Sequence, residues 1–205
     1  SPFFYLMVRS MASDDLSLEN TWVFLRGLSR EAAHWGPFPR MFSQRIADSE
    51  VICLDLPSVG LRYRENFPLS IEEAAAQMIP NLERCAQKEK RVSLLAISLG
   101  GMVALELYRQ RPDLIKQIVL INTSVADAAP FYKRLRWSAW IPVFLALMIP
   151  LVSFREKVIF KLTANLFQNP NIIGRWMLIQ KERPVSVKNV LRQFVAASHY
   201  KIPEP

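Results

Sequence analysis

Val92-Ser93-Leu94-Leu95-Ala96-Ile97-Ser98-Leu99-Gly100-Gly101-Met102-Val103-Ala104-Leu105 is the stretch on which the reading of this chain turns. Val92 to Ile97 is almost continuously apolar, as expected of a strand in a parallel sheet covered on both faces. Ser98 follows, then Leu99 and two glycines, then a helix pattern running to about Arg109 and stopping before Pro112. A strand that gives way to a helix this abruptly needs a tight turn. Such a turn holds its serine in a strained backbone conformation and points the hydroxyl out of the carboxyl edge of the sheet. Strand and helix backbones pass close together there, so the residues two before and two after the serine must be small. Ala96 and Gly100 meet that need. The helix N-terminus behind Ser98 also favours a developing negative charge, and open α/β sheets bind ligands at this edge.

Three more runs read as buried strands: Trp22–Leu25, Val51–Leu56 and Ile118–Ile121. Helix patterns lie between them. One spans Pro37 to Ala47. The clearest starts at Ser70, where Ser70 and Glu73 form a capping box, and Ile71, Ala75, Met78, Ile79, Leu82 and Cys85 share a face. Pro80 is expected to kink it. Strand alternating with helix implies right-handed crossovers and an α/β fold with a doubly wound, mostly parallel sheet.

After Ser124 the texture changes. Residues from about 128 to 200 read as helices broken by Pro130, Pro142, Pro150, Pro170 and Pro184. Charge changes with texture. Residues 1–124 carry 14 Lys/Arg and 14 Asp/Glu, whereas residues 125–205 carry 12 and 4 and hold the whole net charge of +8. The expected division is a core over 1–126 and a helical cap or lid insertion over 127–205. Within the latter, Trp137 to Phe154 is an uncharged 18-residue run flanked by Lys133, Arg134, Arg136, Arg155 and Lys157. Its length borders on a membrane span of about 20 residues, but Pro142 and Pro150 interrupt it and basic residues flank both ends. Cap helices packed on the core, or a face lining an acyl pocket or resting on an anionic interface, are the readings expected instead.

The 205 residues are 51% hydrophobic, enough for one sizeable core. Cys53 lies in a strand-like run and Cys85 on a helix, with no CxxC or Cys/His cluster, so two reduced thiols are expected. Ser1 to Val8 does not read as a signal peptide, and a cytoplasmic location follows as the expectation, with peripheral membrane contact through the cap left open. The pI of about 9.8 is not accompanied by an aromatic-basic motif or a helix-turn-helix, so nucleic acid is not expected as a partner. No Gly-rich phosphate loop or metal motif occurs, and no cofactor is expected.

With Ala96-Ile97-Ser98-Leu99-Gly100 on the page, two upstream segments gain meaning. Val23-Phe24-Leu25-Arg26-Gly27-Leu28 stands about 70 residues before Ser98, and Asp55-Leu56-Pro57-Ser58-Val59-Gly60 follows the second strand. Together the three resemble, in order, the nucleophile elbow, the oxyanion segment and the Asp-x-Pro-Gly-x-Gly turn of the α/β-hydrolase superfamily, most closely its capped serine esterase and lipase-like members. Ala96 stands for the first elbow glycine, Arg26 for the usual histidine, and Ser58-Val59 for the usual Gly-His. The resemblance covers roughly residues 20–125, with the helical remainder as a cap. It implies Ser98 as nucleophile and the backbone N–H groups of Leu28 and Leu99 as oxyanion donors.

A serine hydroxyl needs a general base oriented by an acid, in the family order Ser, Asp or Glu, His. His34 precedes Ser98 and is expected to be structural. Asp113 follows Pro112 at a helix end, away from the edge. Asp127 and His199 complete an order-correct triad on paper. The reading preferred over it is that the acid and base lie beyond Pro205, because the resemblance implies a further strand, helix and strand after the cap. The function implied is hydrolysis of a carboxylic ester with a lipophilic acyl group, a small-molecule substrate, through an acyl-serine intermediate. The alternative is a non-catalytic protein of the same fold that binds a ligand or partner, motivated by Arg26 and by the altered Asp55–Gly60 turn. Oligomeric state is not legible.

Overall fold

The four apolar runs form one parallel sheet in the computed structural model, which describes residues 20–46, 49–86, 91–123, 156–158, 160 and 170–201. The strands β1 (Asn20–Leu25), β2 (Ser49–Leu54), β3 (Val92–Ile97) and β4 (Ile115–Ile121) lie in the order β2-β1-β3-β4. Trp22 stands opposite Val51, Leu25 opposite Ala96, and Ala96 opposite Leu120. The crossovers are α1 (Phe38–Arg45), the pair α2 (Ile71–Ala76) and α3 (Ile79–Cys85), and α4 (Leu99–Gln110). Because the chain leaves β1 toward β2 and then crosses to β3 on the other side, the order reverses between β1 and β3. Ligand crevices of open α/β sheets open at such a point, and here it falls between the ends of β1 and β3, where Gly27 and Ser98 stand.

Both faces of the sheet are covered, which is why its strands read as unbroken apolar runs. Side chains alternate across a strand. Val23, Leu25, Leu94 and Ala96 point to one face and join Ile71 and Ala75 of α2, Met78 between α2 and α3, Leu82 of α3, and Val103 and Leu107 of α4. Trp22, Phe24 and Leu95 point to the other and pack with Trp35 and Phe42. The Phe24 ring meets that of Trp35 at 5.0 Å and that of Phe42 edge-on at 5.1 Å.

The expected helix from Ser70 to Cys85 is two helices rather than one kinked rod. In mid-helix the Pro80 ring would clash with the carbonyl of residue 76; α2 therefore ends at Ala76, and Pro80 sits in the first turn of α3, where a missing N–H costs nothing. The Ser70 cap forms, its Oγ accepting from Glu73 N–H at 3.1 Å. β2 stops at Leu54, two residues earlier than expected, because Asp55 leaves the ladder to bind other backbone groups. β4 begins three residues earlier than expected, at Ile115.

Past the sheet, α5 (Pro170–Glu182) and α6 (Val187–His199) flank Pro184. Ser186 caps α6, accepting from Asn189 N–H at 3.2 Å. Val190 and Ala196 of α6 enter the same apolar cluster as the sheet residues. Asp127 and the run Trp137–Phe154 lie outside the described residues, as does the expected boundary at 126. Among the described residues no helix is long and apolar enough to cross a membrane. Cys53 and Cys85 are free, half-buried thiols, and burial pushes the Cys53 thiol up to about 11.

Candidate active site

Ser98 stands between β3 and α4 with φ 53° and ψ −117°, a backbone state that costs a non-glycine residue on the order of 1–3 kcal/mol. Three hydrogen bonds hold it there. Ser98 N–H donates to Ile121 O of β4 at 3.0 Å, and Ser98 O accepts from Gly101 and Met102 N–H at 2.9 and 3.2 Å. The glycines behind it are dictated by contact. A Cβ on Gly100 would lie 2.5 Å from Arg26 O and 2.9 Å from Leu25 O, and one on Gly101 would lie 2.0 Å from Thr123 Oγ1. The first turn of α4 therefore rests directly on the end of β1. Leu99 N–H is the first of that helix, one of the donors with no intrahelical acceptor.

The end of β1 forms the other wall. A Cβ on Gly27 would fall 3.2 Å from Ser98 Cβ and 3.8 Å from its Oγ, so the loop and the serine are in contact. Gly27 to Arg30 is a turn closed by Arg30 N–H donating to Gly27 O at 3.1 Å, with Ser29 at φ 57°. Leu28, half-buried, lies in this turn and packs on the core. The structure thus brings the Gly27–Leu28 segment and the Ser98–Leu99 junction together.

The turn after β2 is built around Asp55. Its Oδ1 accepts from Ala32 N–H at 2.7 Å and its Oδ2 from Leu61 N–H at 3.0 Å. Gly60, at φ 56°, has no room for a side chain: a Cβ there would sit 1.9 Å from Asp55 Oδ2. Ser58, where the family pattern has glycine, takes φ 70° in full burial. Ser58 therefore holds a backbone conformation that favours glycine.

The histidines have other partners. His34 is buried in the 3₁₀ turn Ala32–Trp35. Its Nε2 accepts from Arg30 Nη1 at 2.9 Å, and its ring lies 5.8 Å from that of Trp176. Burial, and then the Arg30 and Arg26 guanidiniums, push its pKa down to about 2, so the ring is held neutral. His199 is exposed at the end of α6, its Nδ1 bonded to Val195 O at 2.9 Å. Asp113 pairs with Arg111 at 2.8 Å on the surface. Among the described residues no imidazole hydrogen-bonds to Ser98, and no three His, Cys, Asp or Glu side chains converge as a metal site requires. Arg26 stacks its guanidinium 4.7 Å over Trp35.

Sequence reasoning missed a set of polar contacts made by α5, α6 and the residues near them. Gln193 Oε1 accepts from Ser29 N–H at 2.8 Å while its Nε2 donates to Ser58 Oγ at 2.9 Å. Gln180 Nε2 donates to Ser29 O at 3.2 Å. Glu156 pairs with Arg30 at 2.6 Å and Arg183 with Glu31 at 2.7 Å. Asn189 accepts from Phe67 N–H at 3.0 Å and donates to Glu65 O at 2.9 Å. The one signal available was Asn189 and Gln193 at i,i+4, in line with Ala196 and Ala197 rather than on the charged face.

Fold and junction together define an α/β protein with its serine on a strained strand-to-helix elbow at the switch point of the sheet. A profile described as the alpha/beta hydrolase family matches residues 22–198. The chain belongs to that family. Among solved structures it is similar to a carboxylesterase from the ammonia-oxidizing thaumarchaeon Nitrososphaera gargenis, at TM-score 0.65 and 16% identity over 90% of this chain and 65% of that one. A lipase-esterase related protein from Clostridium acetobutylicum matches at 0.65 and 14%, over 91% and 69% of the two chains. The RedJ thioesterase of the prodiginine pathway in Streptomyces coelicolor matches at 0.59 and 15%, over 96% and 72%. The chain thus spans about two thirds of the length of these structures. No curated protein sequence matches it.

Proposed function

We propose that the complete protein is a serine hydrolase that cleaves carboxylic esters of lipophilic acyl groups. The observation that carries this is Ser98 at φ 53° on the β3–α4 junction, with the Gly27 backbone against its side chain. In this reading Ser98 Oγ attacks the ester carbonyl carbon while a general base takes its proton. The oxyanion that forms accepts hydrogen bonds from Leu28 and Leu99 N–H. Collapse breaks the bond to the alcohol, which leaves with the proton, and water then releases the acid from the acyl-serine. Each such backbone donor is worth about 10²–10³ in rate. The base and its acid are proposed to lie outside the described residues, since both His34 ring nitrogens are engaged, by Arg30 Nη1 and Glu31 N–H, and His199 bonds to its own helix. Residues 127–205 act as the cap, and its apolar segment supplies the acyl pocket or a peripheral membrane contact.

The test is covalent labelling of the full-length protein by a fluorophosphonate probe. Labelling is expected in the parent and lost in Ser98→Ala; equal labelling of both ends the assignment. A non-catalytic binding protein of this fold is the second reading, favoured by Arg26, which stands where the family pattern has histidine and stacks on Trp35. It is the one left if neither protein is labelled and no ester is turned over.

A further inference from the structure

We propose that Gln193 of α6 is a positioning residue for the oxyanion loop, locking the Gly27–Arg30 turn from behind so that Leu28 N–H faces Ser98. This rests on Ser98 being the nucleophile. Arg30 N–H closes the turn on Gly27 O, and of its two central residues only Ser29 has positive φ, at 57°. That is the type II pattern, whose third position favours glycine. A serine there costs about 1–2 kcal/mol, and the competing type I turn would relieve it by turning over the Leu28–Ser29 peptide. Something must therefore hold that peptide.

Gln193 does so. Ser29 N–H belongs to this peptide, and it donates to Gln193 Oε1 at 2.8 Å in a buried site. Gln180 Nε2 secures the next carbonyl, Ser29 O, at 3.2 Å. The Ser29 donor demands an acceptor, so the Gln193 amide has one usable orientation, with Nε2 toward Ser58 Oγ at 2.9 Å. One fully buried amide thus ties two non-glycine residues of positive φ, Ser29 and Ser58, on the two loops that border the end of the sheet. Without it Ser29 N–H is buried and unpaired, and the turn gains by flipping, a change in Leu28 ψ and Ser29 φ that also loosens the adjoining Gly27–Leu28 peptide, which carries the oxyanion N–H. Oxyanion donors work only within about 2.7–3.1 Å of the developing charge, and a shift of about 1 Å can cost 10²-fold in rate. Gln193 touches neither substrate nor Ser98; it acts through Ser29.

The experiment compares the parent with Gln193→Met, Gln193→Glu and the double variant Gln193→Met/Ser29→Gly, all in the full-length protein. Three readouts are taken: p-nitrophenyl ester kinetics, inhibition by an aryl trifluoromethyl ketone that binds as an oxyanion adduct, and hydrogen exchange at the Ser29 amide. Gln193→Met is expected to lower kcat by about 10–100-fold with KM within about threefold, and the ketone to weaken in parallel with kcat/KM, as loss of an interaction made in the transition state requires. Gln193→Glu keeps an acceptor for Ser29 N–H and should recover most of kcat. Ser29→Gly removes the penalty on positive φ and should rescue part of the Gln193→Met loss. Ser29 exchange should rise at least about tenfold in Gln193→Met while β3 amides keep theirs. Unchanged kcat, ketone affinity and Ser29 exchange in Gln193→Met would overturn the proposal, as would a loss carried wholly by KM. If the parent neither turns over esters nor labels at Ser98, the nucleophile reading fails by itself. The anchor is then judged on exchange, which overturns it if unchanged and upholds it if faster.

Discussion

Replacing Gly60 by alanine tests whether the Asp55–Gly60 turn is held as described. Two costs arise. The residue sits at φ 56°, which charges an L side chain about 1 kcal/mol or more. The added Cβ would also lie 1.9, 2.2 and 2.5 Å from Asp55 Oδ2, Cγ and Oδ1, so the carboxylate must swing away. It then gives up its bonds from Ala32 N–H at 2.7 Å and Leu61 N–H at 3.0 Å. Hydrogen bonds to a charged group are worth about 1.5–3 kcal/mol each, and the exposure of the Leu61 bond favours the low end. Gly60→Ala should therefore cost about 4 kcal/mol, read by urea unfolding, or roughly 10 °C in Tm for a chain of this size. A double-mutant cycle isolates the cause. In an Asp55→Ala background the collision is gone, and Gly60→Ala should cost only about 1 kcal/mol, the backbone share. A full cost that persists without Asp55, or a loss under about 1 kcal/mol in the parent, would refute the reasoning.

Further outcomes follow from the same geometry. His34 titrates near 6.5 when unfolded but only at about 2 when folded, so the unfolded state binds the extra proton and stability falls as pH drops below 6.5. Between pH 8 and pH 5 the parent should lose about 2 kcal/mol more than His34→Asn in denaturant titrations; parallel profiles would show His34 is not held neutral. Gly100→Ala places a Cβ 2.5 Å from Arg26 O and 2.9 Å from Leu25 O, and lifting α4 off β1 should cost about 3 kcal/mol in unfolding free energy and abolish probe labelling at Ser98. Asn189→Leu leaves Phe67 N–H and Glu65 O without their partner and should cost about 3 kcal/mol by chemical denaturation, part of it regained by Asn189→Asp, which keeps the acceptor. If the cap supplies an apolar acyl pocket, kcat/KM of the full-length enzyme should rise from two to eight carbons, at up to about 0.8 kcal/mol per CH₂; a flat or falling profile would remove the pocket.

The strands, the elbow and the covering of both sheet faces were legible because each rests on local periodicity or on one short contact. Val92–Ile97 reads as a doubly covered strand from its composition alone, and Ser98-Leu99-Gly100-Gly101 as an elbow because only small residues fit where Leu25 O and Arg26 O approach. Even the replaced glycine at Ser58 was visible as a departure. That Ser58 would keep the glycine-like φ of 70° was not, since nothing local distinguishes a strained serine from a relaxed one. Pro80 announced a disturbance in the helix after Ser70, but a kink and a break look alike in sequence. Only the structure shows the break, with Met78 fully buried between the two helices.

What stayed hidden has a common physical form. Ser29 and Gln193 are 164 positions apart, and Ser58 and Gln193 are 135 apart. Both serines read as ordinary loop residues, and a glutamine on an amphipathic helix reads as solvent-facing until the helix is docked. Periodicity reports which face of an element is apolar and so predicts burial in bulk, because the hydrophobic effect is non-directional. It does not report which buried amide meets which peptide. Hydrogen bonds are directional and short-ranged, so that pairing exists only once α6 is seated over the ends of β1 and β2. The sequence by itself thus determined the parallel sheet, its covered faces and the serine at its edge, whereas only the tertiary structure decided what holds the loop facing that serine.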